Sequence, residues 1–164
     1  MAITQLSRRG LLTGWRRSTQ AIRPPWSGSE ADFIERCTRC GACSAACESA
    51  IILAGQGGYP RIDFRNGECT FCYACARACP QALFTSRHSA PWSLRVVVDD
   101  GCLTRQQVDC RSCEDSCEPQ ALRFIPTRDG VAALQVDVSL CTGCGACVAG
   151  CPVSALSLRS SDGQ

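Results

Sequence analysis

The stretch Cys141-Thr142-Gly143-Cys144-Gly145-Ala146-Cys147-Val148-Ala149-Gly150-Cys151-Pro152 decides how this chain is read. Its spacing is C-x2-C-x2-C-x3-C-P, the bacterial pattern of iron–sulfur ligation. Three closely spaced thiolates wrap a tight loop around one cubane. Gly143, Gly145 and Ala146 let the backbone approach, so that its N–H groups can point at the sulfides. The fourth cysteine lies one helical turn past the third, and Pro152 ends that turn. Where such motifs occur in pairs, the fourth cysteine ligates the neighbouring cluster, so one motif implies another.

Three more are present: Cys37, Cys40, Cys43 and Cys47; Cys69, Cys72, Cys75 and Cys79, followed by Pro80; and Cys102, Cys110, Cys113 and Cys117. The last is irregular, with seven residues between Cys102 and Cys110. All 16 cysteines of the 164-residue chain fall into these quartets. Such a cysteine share would by itself suggest a disulfide scaffold, but disulfide frameworks have no reason to repeat this spacing. Structural zinc prefers two separated C-x2-C pairs and suits the triple runs less well. Steps of 32, 38 and 34 residues between successive fourth cysteines mark a repeat of cluster loop, short helix and short strand.

Ligand exchange between paired motifs gives four expected [4Fe–4S] sites. Cys37, Cys40, Cys43 and Cys79 form the first, and Cys69, Cys72, Cys75 and Cys47 the second. Cys102, Cys110, Cys113 and Cys151 form the third, and Cys141, Cys144, Cys147 and Cys117 the fourth. The long Cys102 loop leaves open a labile or three-iron third centre. The formal charge of +2 invites a nucleic-acid reading. Counting thiolates and cluster cores brings the loaded protein to about −6, which removes it.

Expected strands are Ala50-Ile51-Ile52-Leu53, Arg61-Ile62-Asp63-Phe64, Ala82-Leu83-Phe84, Leu94-Arg95-Val96-Val97-Val98, Leu122-Arg123-Phe124-Ile125, Leu134-Gln135-Val136-Asp137-Val138 and Ala155-Leu156-Ser157-Leu158. Together these predict an α+β fold of two tandem bacterial-type two-cluster ferredoxin-like modules, residues 31–98 and 99–159, with a short tail at 160–164. Each module is too small to hold on apolar burial alone, so the metal centres are expected to be part of the fold. His88 is the single histidine, and with every site already supplied by cysteine it reads as a surface or packing residue. Phe71 and Tyr73 flank Cys72 and are expected to shield a cluster from water.

Residues 1–30 form a basic N-terminal arm with five arginines, one acid and no cysteine. Its Ser7-Arg8-Arg9-Gly10-Leu11-Leu12 is like the core of a twin-arginine export signal. The continuous apolar run that a signal needs is broken by Thr13, Gly14 and Arg16-Arg17. The arm reads either as a leader draped on the surface or as a docking segment through Arg8, Arg9, Trp15, Arg16, Arg17 and Trp26, and Trp26 has packing on the first module as its other reading. No segment is apolar enough to cross a membrane. Dinucleotide, P-loop, nucleophile-elbow and H-E-x-x-H motifs are missing, so the expectation is an electron-transfer or accessory protein without a substrate site.

The arm from Ser7-Arg8-Arg9-Gly10 to Gly14, Ile22-Arg23-Pro24-Pro25-Trp26, Cys69-Thr70-Phe71-Cys72-Tyr73-Ala74-Cys75-Ala76, Cys113-Glu114-Asp115-Ser116-Cys117-Glu118-Pro119 and Cys151-Pro152-Val153-Ser154-Ala155 together carry a more specific resemblance. The chain resembles the NapF family of ferredoxin-type accessory proteins of the periplasmic nitrate reductase system. The resemblance implies a cytoplasmic protein with four [4Fe–4S] clusters that contacts the catalytic subunit of that reductase and helps mature it before export. It also implies that the irregular third motif is a family trait. An electron carrier of a respiratory complex and a non-redox docking protein stapled by its clusters are the alternatives.

Overall fold

The computed structural model describes residues 21–128 and 130–161. Arg8, Arg9, Trp15, Arg16 and Arg17 therefore lie outside the described residues. The cysteine loops set the local geometry. In each regular loop the residues on both sides of the second cysteine are left-handed: Arg39 and Gly41, Phe71 and Tyr73, Gly143 and Gly145. This double reversal coils the backbone around the space between the thiols, and short helices start from it. These are α2 (Ala42–Ala45), α3 (Ala74–Arg77) and α5 (Ala146–Ala149). The irregular loop instead runs through a 3-10 turn at Leu103–Gln106 into α4 (Ser112–Asp115). Each of the four helices carries the third cysteine of its motif. A left-handed residue three positions past the fourth cysteine (Ala50, Gln120, Ser154) then turns the chain out of the first, third and fourth motifs.

Three two-stranded antiparallel sheets flank the loops. The first pairs β1 (Ile52–Ala54) with β2 (Pro60–Ile62). The second pairs β4 (Leu122–Ile125) with β5 (Ala133–Val136). In the third, β3 (Leu94–Val98) pairs with β6 (Leu156–Ser160), Val96 opposite Leu158. The sequence reading closed the first module at residue 98. In the structure that strand, β3, pairs across the boundary with β6, the last strand among the described residues.

A strand at 82–84 is also not formed. The N-terminal segment docks just beyond those residues and on β2: the Thr85 N–H donates to the Trp26 carbonyl (2.8 Å), the Trp26 N–H to Pro91 O (2.7 Å) and the Ile62 N–H to Ile22 O (2.7 Å). Trp26 is 4% exposed, its Nε1–H donates to Ser89 O (3.0 Å), and its ring meets Phe71 and Tyr73 edge-on. That corrects its candidacy as a docking anchor, since a ring so enclosed has no face for a partner. Arg23 is likewise spent within the fold. Its guanidinium forks onto Glu30 (2.6 and 2.8 Å), reaches Pro60 O and lies over the Phe33 and Tyr59 rings.

Helix α1 (Glu30–Arg36) was not legible in the sequence reading, although Ser29 caps it by accepting from the Asp32 N–H (3.2 Å). Its Phe33 is 1% exposed. One apolar cluster runs through the whole fold, joining Ile51, Ile52, Ile62 and Phe64 to Leu94, Val96, Leu122, Phe124, Leu156 and Leu158. The buried Cys75, Cys113 and Cys147 belong to the same cluster, so the cysteine loops are part of the core.

Because Trp26 is enclosed, Trp26→Ala is expected to cost about 3–5 kcal/mol of stability. A thermal melt of the loaded protein followed by its visible absorbance reads this. A melt unchanged from the parent would contradict the packing role.

Candidate metal centres

The four quartets expected from ligand exchange each surround one cavity. Cys37, Cys40, Cys43 and Cys79 line an empty space of about 350 Å³. Cys47, Cys69, Cys72 and Cys75 line one of about 390 Å³. Cys102, Cys110, Cys113 and Cys151 line one of about 280 Å³, and Cys117, Cys141, Cys144 and Cys147 one of about 310 Å³. In every case the fourth cysteine of one motif stands with three from its neighbour. All sixteen are free thiols, with no disulfide among them. Among the described residues, no three His, Cys, Asp or Glu are grouped to hold a single metal ion. Each quartet lines the wall of its own cavity.

The chemistry of the walls fits a sulfur-bound iron cluster. Four soft thiols meet mostly apolar linings in each cavity. Burial pushes Cys75 and Cys147 up to about 12, and Cys69 and Cys113 up to about 11. Neighbouring thiols add to this: Cys47 beside Cys69, Cys151 beside Cys113, Cys117 beside Cys147. Such thiols stay neutral unless a cation stabilises their charged form. Backbone N–H groups point at sulfur as well, from Ala121 to Cys117 Sγ (3.2 Å) and from Ala155 to Cys151 Sγ (3.3 Å). Cys40 and Cys72 are exposed, and the Ala42 N–H lowers the Cys40 thiol.

The irregular loop is a built feature. Between Cys102 and Cys110 the chain makes a 3-10 turn in which the Gln106 N–H donates to Cys102 O (3.2 Å) and the Val108 N–H to Leu103 O (2.9 Å). Buried Thr104 ties the turn to the next cysteine through its hydroxyl and Cys110 O (3.2 Å). The extra residues thus cover the cavity and leave Cys102 buried. Tyr73 lines the second cavity, as its place beside Cys72 suggested, while Phe71 turns to Trp26 and Trp92. His88 is exposed and lines none of the four cavities.

Asp63 was missed by the sequence reading. It is 8% exposed and accepts from the Arg65 backbone N–H (3.1 Å) and from the Arg65 and Arg61 guanidiniums. It caps the 3-10 turn Phe64–Asn66, and the turn presents Phe64 to the fourth-site loop at Gly145. The Arg65 side chain, bonded to it, holds the Asp63 carboxyl well below the usual carboxylate range.

Four thiol-lined cavities joined in pairs by crossed cysteines define the class: an iron–sulfur protein of ferredoxin type with four [4Fe–4S] clusters. The 4Fe-4S dicluster domain family matches twice, at residues 36–83 and 108–155. The chain is 55% identical over 151 residues to the ferredoxin-type protein NapF of Escherichia coli K12, covering 92% of each. It is 49% identical over 138 residues to NapF of Haemophilus influenzae, covering 84% of this chain and 78% of that one. A more distant relative is the methylamine utilization ferredoxin-type protein MauM of Methylobacillus flagellatus, 33% identical over 156 residues, covering 84% and 67%. The chain belongs to the NapF family of ferredoxin-type proteins.

A carboxyl held low in the fold stabilises it above the ordinary carboxylate pKa, and that contribution is lost as acid approaches the depressed value. Asp63→Asn is therefore expected to cost about 1–3 kcal/mol near neutral pH. The gap to the parent should close as pH falls below about 3.9. Denaturant titrations across that range test both parts.

Proposed function

We propose that this chain acts in the cytoplasm on the catalytic subunit of a periplasmic nitrate reductase, and assists its maturation before export by electron transfer or cluster assembly. Membership of the NapF family supplies the system. The pairing of cavities by crossed cysteines is the observation that carries the electron-transfer part, since it sets two redox sites side by side around two short helices. Each [4Fe–4S] cluster supplies a one-electron couple tuned by hydrogen bonds to sulfur and by exposure. The chain's own part is to hold the sulfurs, aim the Ala121 and Ala155 N–H groups at them and keep water out.

In this reading the sixteen cysteines ligate in the crossed sets that line the cavities, the chain has no substrate site of its own, and residues 31–98 and 99–159 work as two modules. The cytoplasm is the compartment that fits. An iron–sulfur protein confined there meets its partner only while the partner is still inside, so its action falls before export. Among the described residues no helix is long and apolar enough to cross a membrane. Arg8, Arg9, Trp15, Arg16 and Arg17 remain the candidate docking residues, now without Trp26.

Two outcomes test this. If the ligand sets are crossed, Cys37→Ala/Cys79→Ala loses no more iron than either single variant. Cys69→Ala/Cys79→Ala should lose about twice as much, the additive result for independent sites. The opposite pattern would restore uncrossed ligation. For the partner, the catalytic subunit purified without air from cells lacking this protein is expected to be short of cluster or molybdenum. Wild-type protein should restore it and Cys144→Ser should not. A fully loaded, active subunit would leave the electron-carrier reading in its place.

A further inference from the structure

One contact between the halves joins two cysteines. The Cys69 N–H donates to the Cys144 carbonyl over 2.8 Å. Cys69 lines the second cavity and Cys144 the fourth, so this one hydrogen bond joins the walls of two sites in different halves.

The contact is built rather than incidental. Gly145 has φ +90°, and a Cβ there would lie 2.0 Å from Phe64 Cδ1, so the ring of the first half packs where only glycine leaves room. A Cβ at Gly143 would lie 2.7 Å from Trp92 Nε1, and that N–H donates to Thr142 O (3.1 Å) in the same loop. Trp92 meets Phe64 and Phe71 edge-on, at 5.9 and 5.8 Å between ring centroids. Phe71 sits two residues after Cys69. Two cysteine loops are thus locked together by three rings and two left-handed glycines. Within each half, α2 packs on α3 and α4 on α5, bringing Cys43 beside Cys75 and Cys113 beside Cys147.

We propose that the Cys69–Cys144 junction is where electrons cross between the halves, positioned by Phe64, Gly145 and Trp92. The four sites then stand in one line: first, second, fourth, third. Each crossing moves one electron through the N–H···O=C bridge. The side that gives is oxidised by one, the side that receives is reduced by one, and no proton or bond changes. The proposal rests on the crossed ligand sets of the preceding subsection, and its test separates the two.

The test uses purified full-length protein and a strong one-electron reductant, dithionite or a viologen radical, with no partner present. Cys37→Ala/Cys79→Ala/Cys102→Ala/Cys151→Ala removes two ligands from the first site and two from the third if the sets are crossed, and one ligand from every site if they are not. Half the iron is expected to remain, and the fully reduced sample to show a dipolar-coupled electron paramagnetic resonance spectrum from the second and fourth sites. Half the iron with two uncoupled signals overturns the junction and leaves the ligand sets standing; any other iron content overturns the ligand sets and the junction with them. If this variant does not fold, the fully reduced intact chain decides. A spectrum reproduced by two non-interacting pairs sinks the proposal, and four coupled spins support it. Phe64→Ala at unchanged iron content should shrink the coupling between halves, and an unchanged coupling would remove the positioning role.

Discussion

The fold depends on where the fourth cysteine of each motif goes. Cys47, Cys79, Cys117 and Cys151 each leave their own loop and stand in the wall of the neighbour's cavity. That crossing makes the two loops of a half inseparable, because neither cavity has its fourth wall without the other loop. It also explains why helices of four residues suffice. Too short to be stable alone, they are fixed at one end by a cysteine loop and at the other by a crossed cysteine. With thiols built into the core itself, binding of iron is a large share of folding.

Backbone sign is the second constraint. The chain reverses on both sides of the second cysteine in the three regular loops, and only in the 141–147 loop are both residues glycine. Arg39, Phe71 and Tyr73 adopt the left-handed region without that freedom, a strain the surroundings must support. The support is visible for the aromatic pair: Trp26 meets both rings edge-on, and the Tyr73 hydroxyl donates to Thr85 O over 2.6 Å. The glycines of the 141–147 loop answer a different need, the close approach of Phe64 and Trp92 from the other half.

Much of this was written openly in the sequence. Cysteine spacing grouped the sixteen thiols into the same quartets that line the four cavities, because ligand geometry tolerates little variation. Hairpins β1–β2 and β4–β5 follow from alternation and nearby turns, within a residue or two. What the sequence hid depended on competition between distant segments. Residues 82–84 are as good a strand as residues 156–158, but there the Leu83 N–H turns back to the Gln81 carbonyl instead of pairing in a sheet. The strand at 94–98 was read as such, but its partner lies far along the chain, at Leu156–Ser160. Trp26 read equally well as an anchor or a packed ring, since side-chain type alone carries no information on what covers it. The Asp63–Arg65 clasp passed unnoticed because a surface-looking D-x-R gives no sign of burial.

The crossing has a consequence for how the protein is made. Synthesis runs from the N-terminus, and when the ribosome has produced the triplet Cys37, Cys40 and Cys43 its cavity still lacks a wall. Cys79 supplies it, and in the other half the cavity of Cys102, Cys110 and Cys113 stays open until Cys151 is made. The edge at Trp26 likewise waits for residues 85–91, and β3 waits for β6. Iron delivered to a nascent chain would therefore meet incomplete sites with reactive thiols. Each half becomes competent as a unit, the first ahead of the second.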